Sequence, residues 1–208
     1  MADWTHFLQR DMWGAAKRPD GSWASNTGMV YRLDGSGVFD RGLFLIHNGE
    51  SIHMYGPGRA AGVPIIAGLI MRDEIAAGRI EHKLAYCANM FSALQQFCHP
   101  PACWTDGRHH GGLPEGAVIQ LDPGLDVSRL NLSRGGTIVA RALQEYGAVD
   151  VDMGGGNALY GEGLWSQPGK TWAGLLPEDA LTGLDIRHFR VLRIENVVPM
   201  GMRRTMEE

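Results

Sequence analysis

Asp150 and Asp152 alternate along the run AVDVDM, which ends in Gly154-Gly155-Gly156; Glu162 follows that turn, and Asp106 lies far upstream in a Thr-Asp-Gly. Cleaving a glycosidic bond needs two carboxyls in unlike states, one protonated and one ionised, held roughly 5–9.5 Å apart. In a regular strand Asp150 and Asp152 would share one face, with Cα atoms roughly 6.5–7 Å apart. That suits a catalytic pair, and equally a calcium site or a solvated edge. His82 stands in GRIEHKLAY, where Ile80, His82, Leu84 and Tyr86 fall on one face of a strand. Its apolar neighbours predict an inward imidazole, either a core histidine with one hydrogen bond or a proton carrier near neutral pH. Asp152, Asp106, His82 and Asp150 are the candidate catalytic set, on the expectation that these distant segments converge.

Cys98, His99, Cys103, His109 and His110 are potential metal donors in one stretch, but their spacing matches no closed zinc pattern. A solvated loop is the reading adopted, with no metal and no cofactor. Cys98 and Cys103 could close a small disulfide or stay free. Trp23, Trp104, Trp165 and Trp172 sit in polar, turn-rich contexts where an indole face can stack on a sugar or simply cover a sheet end. Trp23, Trp104, Glu162 and His109 are taken as substrate-binding candidates. The triple glycine lacks the lysine of a phosphate loop, and no G-x-S-x-G elbow supports a serine nucleophile.

These groups need a scaffold. The chain has 208 residues with 29 glycines and 10 prolines, 44% hydrophobic and 20% charged residues, which fits one globular domain with many turns. A net charge of −4 argues against a nucleic-acid surface, and no apolar run reaches bilayer length. The start lacks the charged and apolar pattern of a secretory signal.

The apolar stripe Trp4, Phe7, Leu8, Met12, Ala15, Ala16 predicts a helix over 4–17 that stops before Pro19. Strands are expected over Met29–Leu33, Val38–Ile46 and Ser51–Tyr55, with Asn48-Gly49 as a hairpin turn. A short helix over Leu69–Ala77 leads to a strand over Arg79–Ala88. Asn89–Glu115 has no clear period and reads as a long polar loop. A strand over Ala117–Leu121, a helix over Arg134–Tyr146, strands over Ala148–Asp152 and Ala158–Tyr160, a helical turn at Pro177–Leu181 and a long strand over His188–Val198 follow. The expected fold is mainly β, an antiparallel sandwich or jelly roll with two or three peripheral helices. Residues 1–208 form one domain, with 1–18 as a helix packed on it.

The order GVPIIAGLI, GRIEHKLAY, TDG, ARALQEYG and VDMGG resembles a poorly characterised bacterial family whose members read GLPLLAGLIRPEE, HALAF, TDG, ALQxYG and DxG. The resemblance spans roughly residues 20–165. It places the family histidine on His82 and its aspartates on Asp106 and Asp152. Met153 stands where the family has asparagine or threonine. Proteins like these are often predicted to be secreted, some beside carbohydrate-binding modules. The resemblance therefore implies glycan chemistry and an extracellular setting. The expected function is glycosidic-bond cleavage by hydrolysis or elimination on a glycan or other small polar substrate. A non-catalytic glycan-binding or assembly module, and a metal-dependent enzyme using the His/Cys loop, are the alternatives.

Overall fold

The computed structural model describes residues 2–39, 57–192 and 194–200. Within them the chain is mainly β, with several sheets and two α-helices. The N-terminal strands are β1 (Ala2–Asp3), β2 (Leu8–Trp13), β3 (Ala16–Lys17), β4 (Trp23–Ala24) and β5 (Thr27–Arg32). Next come α1 (Arg72–Ala77), β6 (Leu84–Asn89), β7 (Ser92–Cys98), β8 (Leu113–Glu115) and β9 (Val118–Leu121). Helix α2 (Arg134–Glu145), β10 (Ala148–Gly154), β11 (Ala158–Leu159), β12 (Phe189–Val191) and β13 (Val197–Pro199) complete the order.

The central sheet runs β11-β6-β10-β9-β12. Antiparallel pairings predominate, but β6 and β10 are parallel, as are β7 and β8. Ile138, Val139, Ala142 and Leu143 of α2 pack on one face of the sheet, against Leu84, Tyr86, Ile119, Leu121 and Ala148. On the other face Ala85 and Val151 meet Phe97 of β7 with Ala61, Val63 and Ala102. A strand covered on both faces loses its polar alternation. This is why β6 is buried without a break from Leu84 to Ala88. Ser133 caps α2 by accepting from the Gly136 N–H at 3.0 Å. Gly147, with φ 77°, turns the chain from α2 into β10, and a Cβ there would lie 2.5 Å from the Ile119 carbonyl.

Several sequence expectations are corrected. Residues 4–17 are not a helix: β2 pairs with β5 in register from Leu8 opposite Arg32 to Trp13 opposite Thr27. Its inward residues are Gln9 and Asp11, so a polar pair occupies the buried alternation and hides the strand period from a hydrophobicity reading. Gln9 Nε2 donates to Asp11 Oδ1 at 2.5 Å, and Ile65 N–H donates to Asp11 Oδ2 at 2.7 Å. Residues 89–115 are not one loop, since they hold β7 and β8. Gln95 at φ 53° and a register shift between Ser92 and Phe97 break the alternation of β7. The long strand expected over 188–198 divides into β12 and β13, which belong to different sheets. Pro177–Leu181 forms turns, and α1 begins at Arg72 and ends at Gly78, φ 94°. The strands expected over Val38–Ile46 and Ser51–Tyr55, and the Asn48-Gly49 turn, lie largely or wholly outside the described residues.

Candidate active site

Three stretches of chain carry acidic groups into one polar cluster. Strand β10 brings Asp150 and Asp152, β8 brings Glu115, and the loop between β7 and β8 brings Asp106. Asp150 stands opposite Tyr86 and Asp152 opposite Cys87, so Val151 is an extra residue on β10. This bulge re-aims the second carboxylate, and the two aspartates consequently have different partners.

Asp150 is fully buried. Ser92 Oγ donates to its Oδ2 at 3.3 Å. The amides of Ala88 and Asp152 lean toward the carboxyl, but none closes a hydrogen bond on Oδ1. Burial pushes its pKa up to about 7, with the Asp152 charge acting in the same sense. Asp152 is half-buried and is an acceptor twice, from Tyr160 Oη at 2.8 Å and from the Met153 N–H at 3.0 Å. Burial, then the bond to Asp152, hold the Tyr160 phenol far above its ordinary value. Tyr160 is thus a fixed donor. The Arg59 guanidinium lies over its ring at 5.0 Å and donates to the carbonyls of Pro64, Ile65 and Ala67 at 3.1, 2.8 and 3.0 Å. Arg59, Tyr160 and Asp152 form a continuous buried-to-surface chain. The Cys87 thiol also contacts the Tyr160 hydroxyl, and burial raises its pKa, which makes it a poor nucleophile.

Glu115 is sealed from solvent, and as a carboxylate it closes no hydrogen bond among the described residues. Its carboxyl faces those of Asp106 and Asp150 and the Thr105 hydroxyl, and burial followed by Asp106 pushes its pKa up to about 10. Asp106 is exposed, yet desolvation raises its pKa; the Glu115 hydrogen bond opposes that rise and the Asp152 charge adds to it. The loop carrying it is pinned to β7. Gly107 lies so close that a Cβ would sit 2.1 Å from the Ala93 carbonyl, and His109 N–H donates to Ser92 O at 3.0 Å. The His109 ring stacks on Phe91 at 4.3 Å, a flat surface three residues from Asp106.

Of the sequence candidates, Asp106, Asp150 and Asp152 are brought together. His82 is not with them and does not point inward as expected. It precedes β6 and is half-exposed, with Nδ1 2.8 Å from Lys83 O and Nε2 3.2 Å from Glu74 Oε2. The strand starts at Leu84, five residues later than the expected Arg79, so the alternation that turned His82 inward does not reach it. Glu162 is an anchor: it accepts from the Arg72 N–H at 2.7 Å and from Gln167 Nε2 at 3.0 Å. Trp23 sits on β4 opposite Lys17. Trp104 is half-buried and its backbone N–H donates to Ala61 O at 3.2 Å.

Glu115, Ser92 and Tyr160 were missed. The only sequence trace of Glu115 is its place before Gly116, whose φ of 89° ends β8. All three cysteines are free. No group of three or more His, Cys, Asp or Glu among the described residues is arranged to hold a metal. On the helix side of the sheet a cavity of about 540 Å³ is lined by Tyr86, Asn89, Phe91, Asn157, Phe189 and Arg190, among others. The Tyr86 hydroxyl donates to Asn157 Oδ1 there. The chain matches no protein-family model, no curated protein and no solved structure.

Proposed function

We propose that this protein is a carbohydrate-active enzyme that cleaves a glycosidic bond, by hydrolysis or elimination, with Asp152 and Asp106 as its acid–base carboxyls. The observation that carries the reading is the convergence of Asp106, Glu115, Asp150 and Asp152 in one cluster, in which burial raises the pKa of Asp106, Glu115 and Asp150. Clustered carboxyls whose protonated form is favoured by burial are candidate general acids. Asp106 and Asp152 are the members that reach solvent, while Glu115 and Asp150 lie beneath them. The Phe91–His109 stack offers an aromatic face for a sugar ring. His82 has no part in this scheme.

The family resemblance leans the same way, toward a glycan and an extracellular setting. A net charge of −4 speaks against a nucleic-acid partner. No helix among the described residues is long and apolar enough to cross a membrane. A sandwich-type stacking of the central sheet on the β7–β8 sheet belongs to the same proposal, supported by the contact of Ala85 and Val151 with Phe97.

The test is a panel of glycans incubated with wild type and Asp152→Asn, reading reducing ends and unsaturated products. Wild type should release one or the other, and the variant should be slower by at least about 100-fold, the usual effect of losing an acid–base group. Equal release by both proteins would remove Asp152 from the chemistry. The second reading, a non-catalytic glycan-binding module, is favoured by the exposed indoles of Trp23 and Trp165, 47% and 97% accessible. It predicts binding without product.

A further inference from the structure

We propose that Glu115 is the positioning residue of this site: its sealed carboxyl and the carboxyl of Asp106 hold one proton between them, and Asp106 is the member through which that proton reaches solvent. The inference rests on the acid–base reading above for its purpose, though not for its physical content.

The geometry leaves few other arrangements. Glu115 is completely buried, and with both acids ionised its two oxygens close no hydrogen bond among the described residues, the Thr105 hydroxyl being the donor that faces them. A buried carboxylate without donors is costly. The groups facing it are Asp106 and Thr105 from the loop and Asp150 from β10. The Thr105 oxygen already accepts the Gly107 N–H at 2.9 Å, which leaves its single proton as the one donor nearby. Around that core lie Asp152, Ser92, Cys87 and Cys98. Arg108 is the cation whose charge reaches Asp106, from the solvent side.

Two carboxylates in hydrogen-bond contact cannot both ionise in such surroundings. One shared proton satisfies an oxygen on each, and the pair then titrates as a unit. Glu115 cannot touch a substrate. Its effect would be felt through Asp106, whose O–H bond breaks as a new O–H bond forms on the departing glycosidic oxygen. That oxygen keeps the electron pair of the cleaved carbon–oxygen bond. In the hydrolytic case the oxygen of a water bonds to the carbon left behind as that water gives its proton to the pair, which is thus not left doubly charged.

The test needs no substrate. The infrared band of protonated carboxyl groups is followed in intact protein from about pH 5 to about pH 9, a range in which ordinary carboxyls are already ionised. Wild type should keep a protonated carboxyl at about pH 8.5, above the range in which Asp150 gives up its proton. Glu115→Gln should lose that band. Asp106→Asn, a change at an exposed position, should keep it but lower its midpoint by at least about one pH unit, because a like-charged neighbour is gone. Absence of the band from wild type at about pH 8.5, or a midpoint unmoved by Asp106→Asn, would overturn the pair. Should Glu115→Gln fail to fold, the wild-type titration and the Asp106→Asn shift still decide. A silent glycan panel with the band intact removes the enzyme and spares the pair; cleavage without the band does the reverse.

Discussion

The Tyr160 hydroxyl donates to Asp152 Oδ2 at 2.8 Å while the Arg59 guanidinium lies 5.0 Å above the same phenol ring. One side chain thereby ties a half-exposed carboxylate to a buried cation. Arg59 is in turn fixed by three loop carbonyls from residues 64–67. The orientation of Asp152 therefore depends on a loop that precedes it by more than eighty positions.

Tyr160→Phe removes that donor and keeps the ring over which Arg59 stacks. We expect a loss of about 1 kcal/mol, the net worth of one hydrogen bond to a partly buried acceptor. Urea unfolding of the two proteins measures it. An unchanged midpoint would mean that Asp152 finds another donor at no cost.

Asp150 keeps its proton up to about 7 in the folded protein, against about 3.9 in an unfolded chain. Between those values the folded state binds more protons, so stability falls as pH rises. The contribution is complete below about pH 4 and lost above about pH 7. Glu115, held protonated to about 10, extends the decline in the same direction. Asp150→Asn should flatten the fall between about pH 4 and pH 8, by an amount on the order of 2–4 kcal/mol. Denaturation midpoints across that range test it, and a variant as pH-sensitive as wild type would contradict it.

Gly107 holds the Asp106 loop against β7 with no room for a methyl group, since a Cβ would sit 2.1 Å from the Ala93 carbonyl. Gly107→Ala should cost about 1–3 kcal/mol through forced backbone displacement. It should also move Asp106 away from Glu115. Thermal unfolding reads the first effect, and a lowered midpoint of the protonated-carboxyl band reads the second.

Cys87 and Cys98 are buried, and burial pushes the Cys103 thiol up to about 12. Thiolate is the reactive form. At about pH 8 the native protein should alkylate at least about tenfold more slowly than the unfolded chain. Unfolding without reductant should expose three reactive thiols. Mass spectrometry counts them, and a single alkylation would reveal a disulfide.

Local patterns identified the elements that stand on one regular period. Helix α2 is legible because Ile138, Val139, Ala142 and Leu143 repeat at helical spacing between a serine cap and a glycine stop. Strands β5, β9 and the start of β10 were legible from their apolar runs for the same reason. Strand β2 was not, because its inward positions are polar, with Asp11 accepting from Gln9 and from the distant Ile65 N–H. Strand β7 was not, because a bulge at Gln95 interrupts its alternation.

The residue types and their order along the chain determined that acidic groups would stand beside a glycine turn and in a Thr-Asp-Gly loop. Which of them meet was decided by packing alone. The bulge at Val151 separates the surroundings of Asp150 and Asp152, β8 carries Glu115 beneath Asp106, and the late start of β6 leaves His82 beside Glu74. Burial is a property of three-dimensional neighbours, and it is burial that moves these protons; no spacing along a chain encodes it.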